Sequence, residues 1–274
     1  MVGRSAAGTP ATRDRYSRQS RFWGIGVEGQ ARLAAGRVLV IGCGGLGSAA
    51  IHLLARSGVG HLVVVDRDVV ELDNLHRQLL YDEADAAAGT PKALAAAAVV
   101  GRINGGVEVE AVVADVTAAN VEGLVARADV VVDGTDNVET RYLLNDACVA
   151  AGIPWIYGGA VGSTGMSMTI LPGDTACFRC LFPTPQPAGT METCDIAGVL
   201  ASGVVIVAAH QWTEVVKLLV GDREHLNRGL TAFDLWTNDH LQAESVPRRP
   251  DCPCCHARRF EYLEAKATSQ TDGG

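Results

Sequence analysis

The sequence predicts an α/β protein built on a doubly wound, mixed sheet with flanking helices and a separately fastened C-terminal part. Three observations carry this. From Arg37 onward, short β-rich apolar runs alternate with longer helical patterns, as in a parallel sheet with crossover helices. A glycine-rich turn follows the first of those runs. After Ile153, glycines 158, 159, 162 and 165 break short apolar stretches through Ile170, the pattern of strands joined by tight turns, so the sheet should continue as a mixed one.

Taken in order, Val38 to Ile41 is a continuous apolar run bounded by Gly36 and Gly42, fitting a strand covered on both faces. A helix is expected from Gly45 to Ser57. His61 to Asp66 reads as a second strand, Thr90 to Ile103 as a helix, Val107 to Val113 as a third strand, Asp129 to Asp133 as a fourth, and Glu139 to Ala151 as a helix. Residues 182–193 hold Pro183, Pro185, Pro187 and Gly189, a composition that excludes regular helix and suggests a mobile crossover loop. Val204 to Val220 is amphipathic: Val205, Ala208, Trp212, Val215, Val216 and Leu219 follow a helical period facing the core, with Gln211, Thr213, Glu214 and Lys217 on the other faces.

The 274 residues are long enough for a sizeable core, and with 48% hydrophobic and 20% charged residues the composition is that of a globular chain. A net charge of −8 gives no general pull toward nucleic acid or anionic lipid. The most apolar stretch, Ile196 to Ala209, ends at His210 and Gln211 and reads as a buried helix rather than a membrane span. Met1 to Ala11 lacks the apolar run of a signal peptide, so the expected compartment is the cytoplasm, where eight cysteines are thiols, metal ligands or catalytic groups. The expected organisation is a disordered tail over 1–14, one domain over 15–262 and a flexible tail over 263–274. The domain comprises a nucleotide-binding half over about 37–151 and a mixed-sheet half over about 152–262.

Gly42, Gly44 and Gly47 supply a Gly-x-Gly-x-x-Gly pattern between strand and helix, with Gly45 inside it. This is the Rossmann-like arrangement, in which glycines let backbone approach phosphates and helix N-terminal N–H groups meet their charge. Asp66 lies 19 residues beyond Gly47, placed to accept hydrogen bonds from a ribose. The motif alone also fits a dinucleotide-dependent dehydrogenase. Asn74 and Arg77, three apart, would point to one side, and Lys92 follows Thr90-Pro91 at a helix start. Two cations beside one nucleotide suit a triphosphate losing pyrophosphate better than a hydride carrier. Asp136 follows the fourth strand, either as a magnesium ligand or as a helix cap.

These residues resemble the ThiF/MoeB/HesA adenylyltransferases, relatives of ubiquitin-activating enzymes. The marks run from Arg15 to about His256: Arg15-Tyr16-Ser17-Arg18-Gln19, the glycine loop, Asp66-Arg67-Asp68, Asn74 with Arg77-Gln78, Gly89 to Lys92, Gly134 to Asn137, Cys177 to Pro183, Gly198 to Leu200 and Cys252 to Cys255. The resemblance implies adenylation, by ATP with Mg2+, of the C-terminal carboxylate of a ubiquitin-like sulfur-carrier protein ending in Gly-Gly, for thiamine, molybdopterin or related sulfur biosynthesis. It implies that Gly42, Gly44, Gly45 and Gly47 touch the nucleotide, Asp66 the ribose, and Asn74, Arg77 and Lys92 the phosphates. Asp136 would hold magnesium, and Arg18 would reach the partner's phosphates across a homodimer. Other expectations weighed beside it are a peptide or small-molecule carboxylate as substrate, an NAD-dependent oxidoreductase, and a non-catalytic partner-binding scaffold.

Cys177 with Cys180 and Cys252 with Cys255 form two Cys-x-x-Cys pairs, a spacing that lets four thiolates close around a structural zinc and staple the C-terminal part to the body. Cys254 and His256 compete for the fourth position, which the family pattern gives to Cys255. Cys194 aligns with a cysteine that some relatives use in a thioester or persulfide relay. Cys43 and Cys148 read as packing residues. Ala201-Ser202 stands where relatives commonly have Gly-Pro. No rhodanese domain is recognised, so the sulfur donor is expected to be a separate protein, and Gly273-Gly274 reads as part of the flexible tail.

Overall fold

Strand β1 (Arg37–Ile41) is buried from Val38 to Ile41, and its side chains divide strictly between the two faces of the sheet. Val38 and Val40 enter one core, Leu39 and Ile41 the other. The period-two alternation repeats in β2 (His61–Val65) and β4 (Val130–Asp133), which explains why a run apolar at every position is a strand here. The computed structural model describes residues 15–185 and 197–264. Both expected tails beyond these limits, most of the proline-rich loop and Cys194 lie outside the described residues.

Among the described residues, eight strands form one sheet in the order β3-β2-β1-β4-β5-β6-β7-β8. β3 (Glu108–Val112), β2, β1, β4 and β5 (Trp155–Val161) are parallel, whereas β6 (Thr164–Ile170), β7 (Leu230–Asp234) and β8 (Asp239–Ala243) are antiparallel additions. The mixed sheet expected from the glycine-punctuated second half is present. The chain leaves β1 toward β2 on one side and later returns to place β4 on the other, creating the crevice at the strands' carboxyl ends where α/β sheets bind ligands.

Helices α1 (Gly26–Ala35), α2 (Gly45–Ser57) and α3 (Lys92–Ile103) cover one face; α4 (Val121–Val125) and α5 (Val138–Ala151) cover the other. α2 runs between the glycines that bound it in sequence, with Gly58 at φ 78° taking the left-handed C-terminal turn. α3 starts at Lys92 rather than Thr90, because Pro91, the N-cap, keeps an extended backbone. A short helix, Glu261–Glu264, buries Leu263 against α5, so the ordered domain runs past the expected start of the tail at 263.

Helix α6 (Ala201–Val220) begins earlier than expected and lies on the sheet beside α2. Among the described residues it is the one helix long and apolar enough to cross a bilayer, yet half of its most apolar stretch is buried inside the protein. Its polar pattern corrects the sequence reading. Gln211 and Glu214, assigned to outer faces, are buried, whereas Val205, Trp212 and Leu219 are only half-buried. Helical period gives direction but not partners, and these two polar groups find theirs inside. Gln211 Nε2 donates to the carbonyls of Asp133 (2.7 Å) and Ile156 (3.0 Å), while Glu214 accepts from Thr169 Oγ1, the Asn227 backbone and Lys217 Nζ.

Replacing Gln211 with Leu should therefore destabilise the fold. Two buried acceptors lose their donor, offset in part because Gln211 Oε1 has no hydrogen-bond partner of its own. The expected cost is about 2 kcal/mol in urea unfolding. An unchanged midpoint would mean that these carbonyls do not depend on Gln211.

Candidate functional site

The crevice beside β1 opens into a cleft of about 350 Å3, within the range of small-ligand sites. Its floor is backbone. Gly42 turns at φ 86°, and a Cβ there would lie 2.7 Å from the Gly134 carbonyl group. The N-terminus of α2 has no side-chain cap, leaving its first N–H groups available to an anion. Gly44 and Gly45 line this cleft; Gly47 does not. A Cβ on Gly47 would sit 1.7 Å from the Gly42 oxygen, so this glycine serves the close packing of loop on helix rather than ligand contact.

Asp66 leaves the end of β2 and ties the loop down. Its Oδ2 accepts from Cys43 N at 2.6 Å and its Oδ1 from Asp68 N at 2.8 Å. Burial pushes its pKa above the ordinary carboxylate value, against these hydrogen bonds. Each oxygen keeps lone-pair capacity toward the cleft, as a ribose hydroxyl requires.

The cations converge on the same space. Asn74 is buried at the end of a 3-10 turn, Leu72–Asn74, and its Oδ1 accepts from Arg77 Nη2 at 3.1 Å and Gln78 Nε2 at 2.8 Å. It thus orients both neighbours along one wall. Lys92 is nearly buried, with Nζ 3.4 Å from Asp68 Oδ2. Tyr81, missed by sequence reasoning, donates its hydroxyl to Cys43 O at 2.7 Å and lies 3.2 Å from Lys92 O, joining the glycine loop to the helix that carries the lysine. Burial raises its pKa.

Asp136 lies at the rim, exposed. The helix cap is Asn137, whose Oδ1 accepts from Glu139 N at 2.8 Å and Thr140 N at 3.2 Å. The capping alternative for Asp136 therefore falls away. Below it, Asp133 and Arg141 form an ion pair at 3.0 Å that no motif announced. Arg18 is exposed and does not line its own chain's cleft, because the N-terminal arm is fastened elsewhere: Arg15 Nη1 donates to Ile103 O and Gln19 Nε2 to Ser57 O. The structure thus gathers Gly42, Gly44, Gly45, Asp66, Asn74, Arg77, Lys92 and Asp136, and leaves Gly47 and Arg18 outside.

On the other face, Cys177 at the N-cap of a short helix, Phe178–Leu181, and Cys180 within that helix meet Cys252 and Cys255. All four sulfurs lie within 4.8 Å of one another. The separations of 3.9 Å for Cys177 to Cys180, 3.6 Å for Cys177 to Cys252 and 3.5 Å for Cys180 to Cys255 fit a tetrahedral site. Zinc–sulfur bonds of about 2.3 Å would set edges of roughly 3.8 Å. Hydrogen bonds from Cys177 and Cys255 hold the Cys180 thiol well below its usual range, while Cys177 and Cys255 are pushed up. Cys254 is buried beside the quartet, where its sulfur touches the Cys177 thiol and accepts from Asn145 Nδ2 at 3.2 Å, but the four sulfurs that lie mutually within 4.8 Å include Cys255 and not Cys254. Cys43 and Cys148 are buried, as packing residues should be.

A sequence profile described as the ThiF family matches residues 16–254. The chain is 43% identical over 250 residues to the sulfur carrier protein ThiS adenylyltransferase of Bacillus subtilis, covering 91% of this chain and 73% of that protein. It is 47% identical over 253 residues to the SAMP-activating enzyme E1 of Haloferax volcanii, covering 92% of each. Among solved structures, E. coli MccB with MccA-N7isoASN superposes with a TM-score of 0.76 at 25% identity, over 89% of this chain and 75% of that one.

The cysteine geometry generates a metal test. Elemental analysis of protein purified without chelator should find one zinc per chain. Cys254→Ser should keep the metal and Cys255→Ser should lose it, with reduced thermal stability. The reverse pattern would move the fourth ligand to Cys254.

Proposed function

Because the chain belongs to the ThiF family, we propose that it uses ATP to adenylate the C-terminal glycine carboxylate of a ubiquitin-like sulfur-carrier protein, releasing pyrophosphate. The observation that carries this reading is the pairing of two cations, Arg77 and Lys92, with an exposed carboxylate, Asp136, around one glycine-floored cleft. A dinucleotide needs the glycines and Asp66 but not this charge arrangement. The two relatives described above, named as acting on ThiS and as activating SAMP, favour a carrier protein over the alternative of a peptide or small-molecule carboxylate.

In this reading the carrier's carboxylate oxygen attacks the α-phosphorus of ATP. A new carboxyl-oxygen-to-phosphorus bond forms, and the bond from that phosphorus to the bridging oxygen breaks. The electron pair leaves with pyrophosphate, so no proton transfer is needed. Negative charge shifts onto the departing diphosphate, and preplaced cations stabilise it without reorganisation at the moment of reaction. Lys92 is held by its helix and by Asp68, and Arg77 by Asn74, so both arrive pre-oriented. Asp136, together with substrate phosphates, would hold magnesium, which would supply further charge neutralisation; an exposed carboxylate beside the cleft suits an ion that takes one or two protein carboxylates plus phosphate oxygens. The four-cysteine site, closed by its own ligands, takes a structural role. Arg18 would complete the site of a partner subunit in a homodimer.

Carrier-dependent exchange of labelled pyrophosphate into ATP tests the reading; preferential binding of NADH over ATP would refute it. Asp136→Asn should lower exchange by about 100-fold with folding intact, and an unchanged rate would remove Asp136 from the reaction.

The shared-site part has its own test. Inactive Arg18→Ala and Lys92→Ala chains, mixed under conditions of subunit exchange, should partially restore activity, since one site of the mixed dimer would be intact. Absence of rescue despite exchange would argue against a contribution of Arg18 in trans.

A further inference from the structure

Asp136 is exposed, yet the residues on either side of it are fixed from below. On one side Asn137 caps α5. On the other, Thr135 is held at three of its atoms by two buried charges. Asp133, fully buried at the end of β4, accepts from Thr135 N at 2.9 Å and from Thr135 Oγ1 at 2.8 Å through one carboxylate oxygen. Its other oxygen takes Arg141 Nε at 3.0 Å. Arg141 Nη2 then donates to Thr135 O at 2.5 Å and to Gly158 O, on β5, at 3.0 Å. The guanidinium lies 5.2 Å from the centre of the Tyr157 ring.

A buried ion pair by itself contributes little net stability, because desolvation offsets the attraction. Here the capacity beyond the pair goes largely to one segment: the backbone entering Asp136 and the strand beside it. The planar fork of an arginine spans two carbonyls and a carboxylate at once, which an ammonium on a flexible stem does not.

We infer that Arg141 is a positioning residue that sets the divalent-metal affinity of the nucleotide complex by fixing the Thr135-Asp136 segment between β4 and β5. The inference rests on the adenylation reading, in which Asp136 holds the magnesium of bound ATP. It assigns Arg141 no contact with the reacting atoms.

Arg141→Lys separates this role from a purely structural one. ATP affinity measured without divalent ion should stay within about threefold of the parent, while the Mg2+ concentration for half-maximal pyrophosphate exchange should rise about tenfold, with the rate recovering at high Mg2+. Loss of metal-free ATP binding in parallel with exchange at every Mg2+ concentration would overturn the inference, as would an unchanged Mg2+ dependence. Should the single variant not fold, Asp133→Asn/Arg141→Gln removes both charges and leaves none unpaired. It should display the same Mg2+ shift, and parental Mg2+ dependence in that folded double variant would equally overturn the assignment. A parent chain that binds no ATP would instead defeat the functional reading, a result distinct from a parent that binds ATP while the variant's metal dependence is unchanged.

Discussion

The site depends on a contact between three stretches of backbone with no side chains between them. The turn at Gly42 lies against Gly134, and the first turn of α2 lies against the same Gly42 through Gly47. A Cβ at any of the three would overlap main-chain atoms, with separations of 2.7 Å at Gly42, 1.7 Å at Gly47 and 2.4 Å at Gly134. Main chain has nowhere to give, so glycine is required by contact at all three positions, and at Gly42 by its positive φ as well. This junction brings the ends of β1 and β4 together, and hence the uncapped N-terminus of α2 and the Asp136 segment onto one cleft.

Around that junction, buried polar groups act as ties. Asp66 joins the end of β2 to the loop, Tyr81 joins the loop to the lysine helix, Asn74 orients Arg77, and Gln211 joins β4 to β5 from above. Asp66, Tyr81 and Gln211 satisfy backbone groups of the glycine loop, the lysine helix, β4 and β5, so local folding and site construction use the same hydrogen bonds. The cysteine quartet sits on the opposite face and closes the C-terminal segment onto α5, whose Asn145 reaches both Phe178 N and Cys254 Sγ.

Much of this was legible in the sequence because glycine marks backbone geometry directly. The start of α2 follows from the glycine loop at Gly45, and the mixed second half follows from glycines 158 to 165. The cleft residues Asp66, Lys92 and Asp136 were legible from their positions at element ends, and Asn74 and Arg77 from their spacing of three. Less legible were residues whose role is set by what lies across the fold. Gln211 and Glu214 look like an outer face until the carbonyls and loop they meet are known. Arg141 is an ordinary helical arginine until Asp133 is beneath it, and adjacent Cys254 and Cys255 differ only in where the loop aims each sulfur. Gly47 belongs to a nucleotide motif by spacing but acts through packing.

Incubating a Gly-Gly-ended carrier with the enzyme, ATP and Mg2+, followed by intact-mass and fragment mass spectrometry of the carrier, tests the central claim most directly. The account predicts an adenylate attached only at the C-terminal glycine, absent when Lys92 is replaced by Ala. An unmodified carrier across candidate sulfur carriers despite bound ATP, or an adenylate on another group, would contradict it.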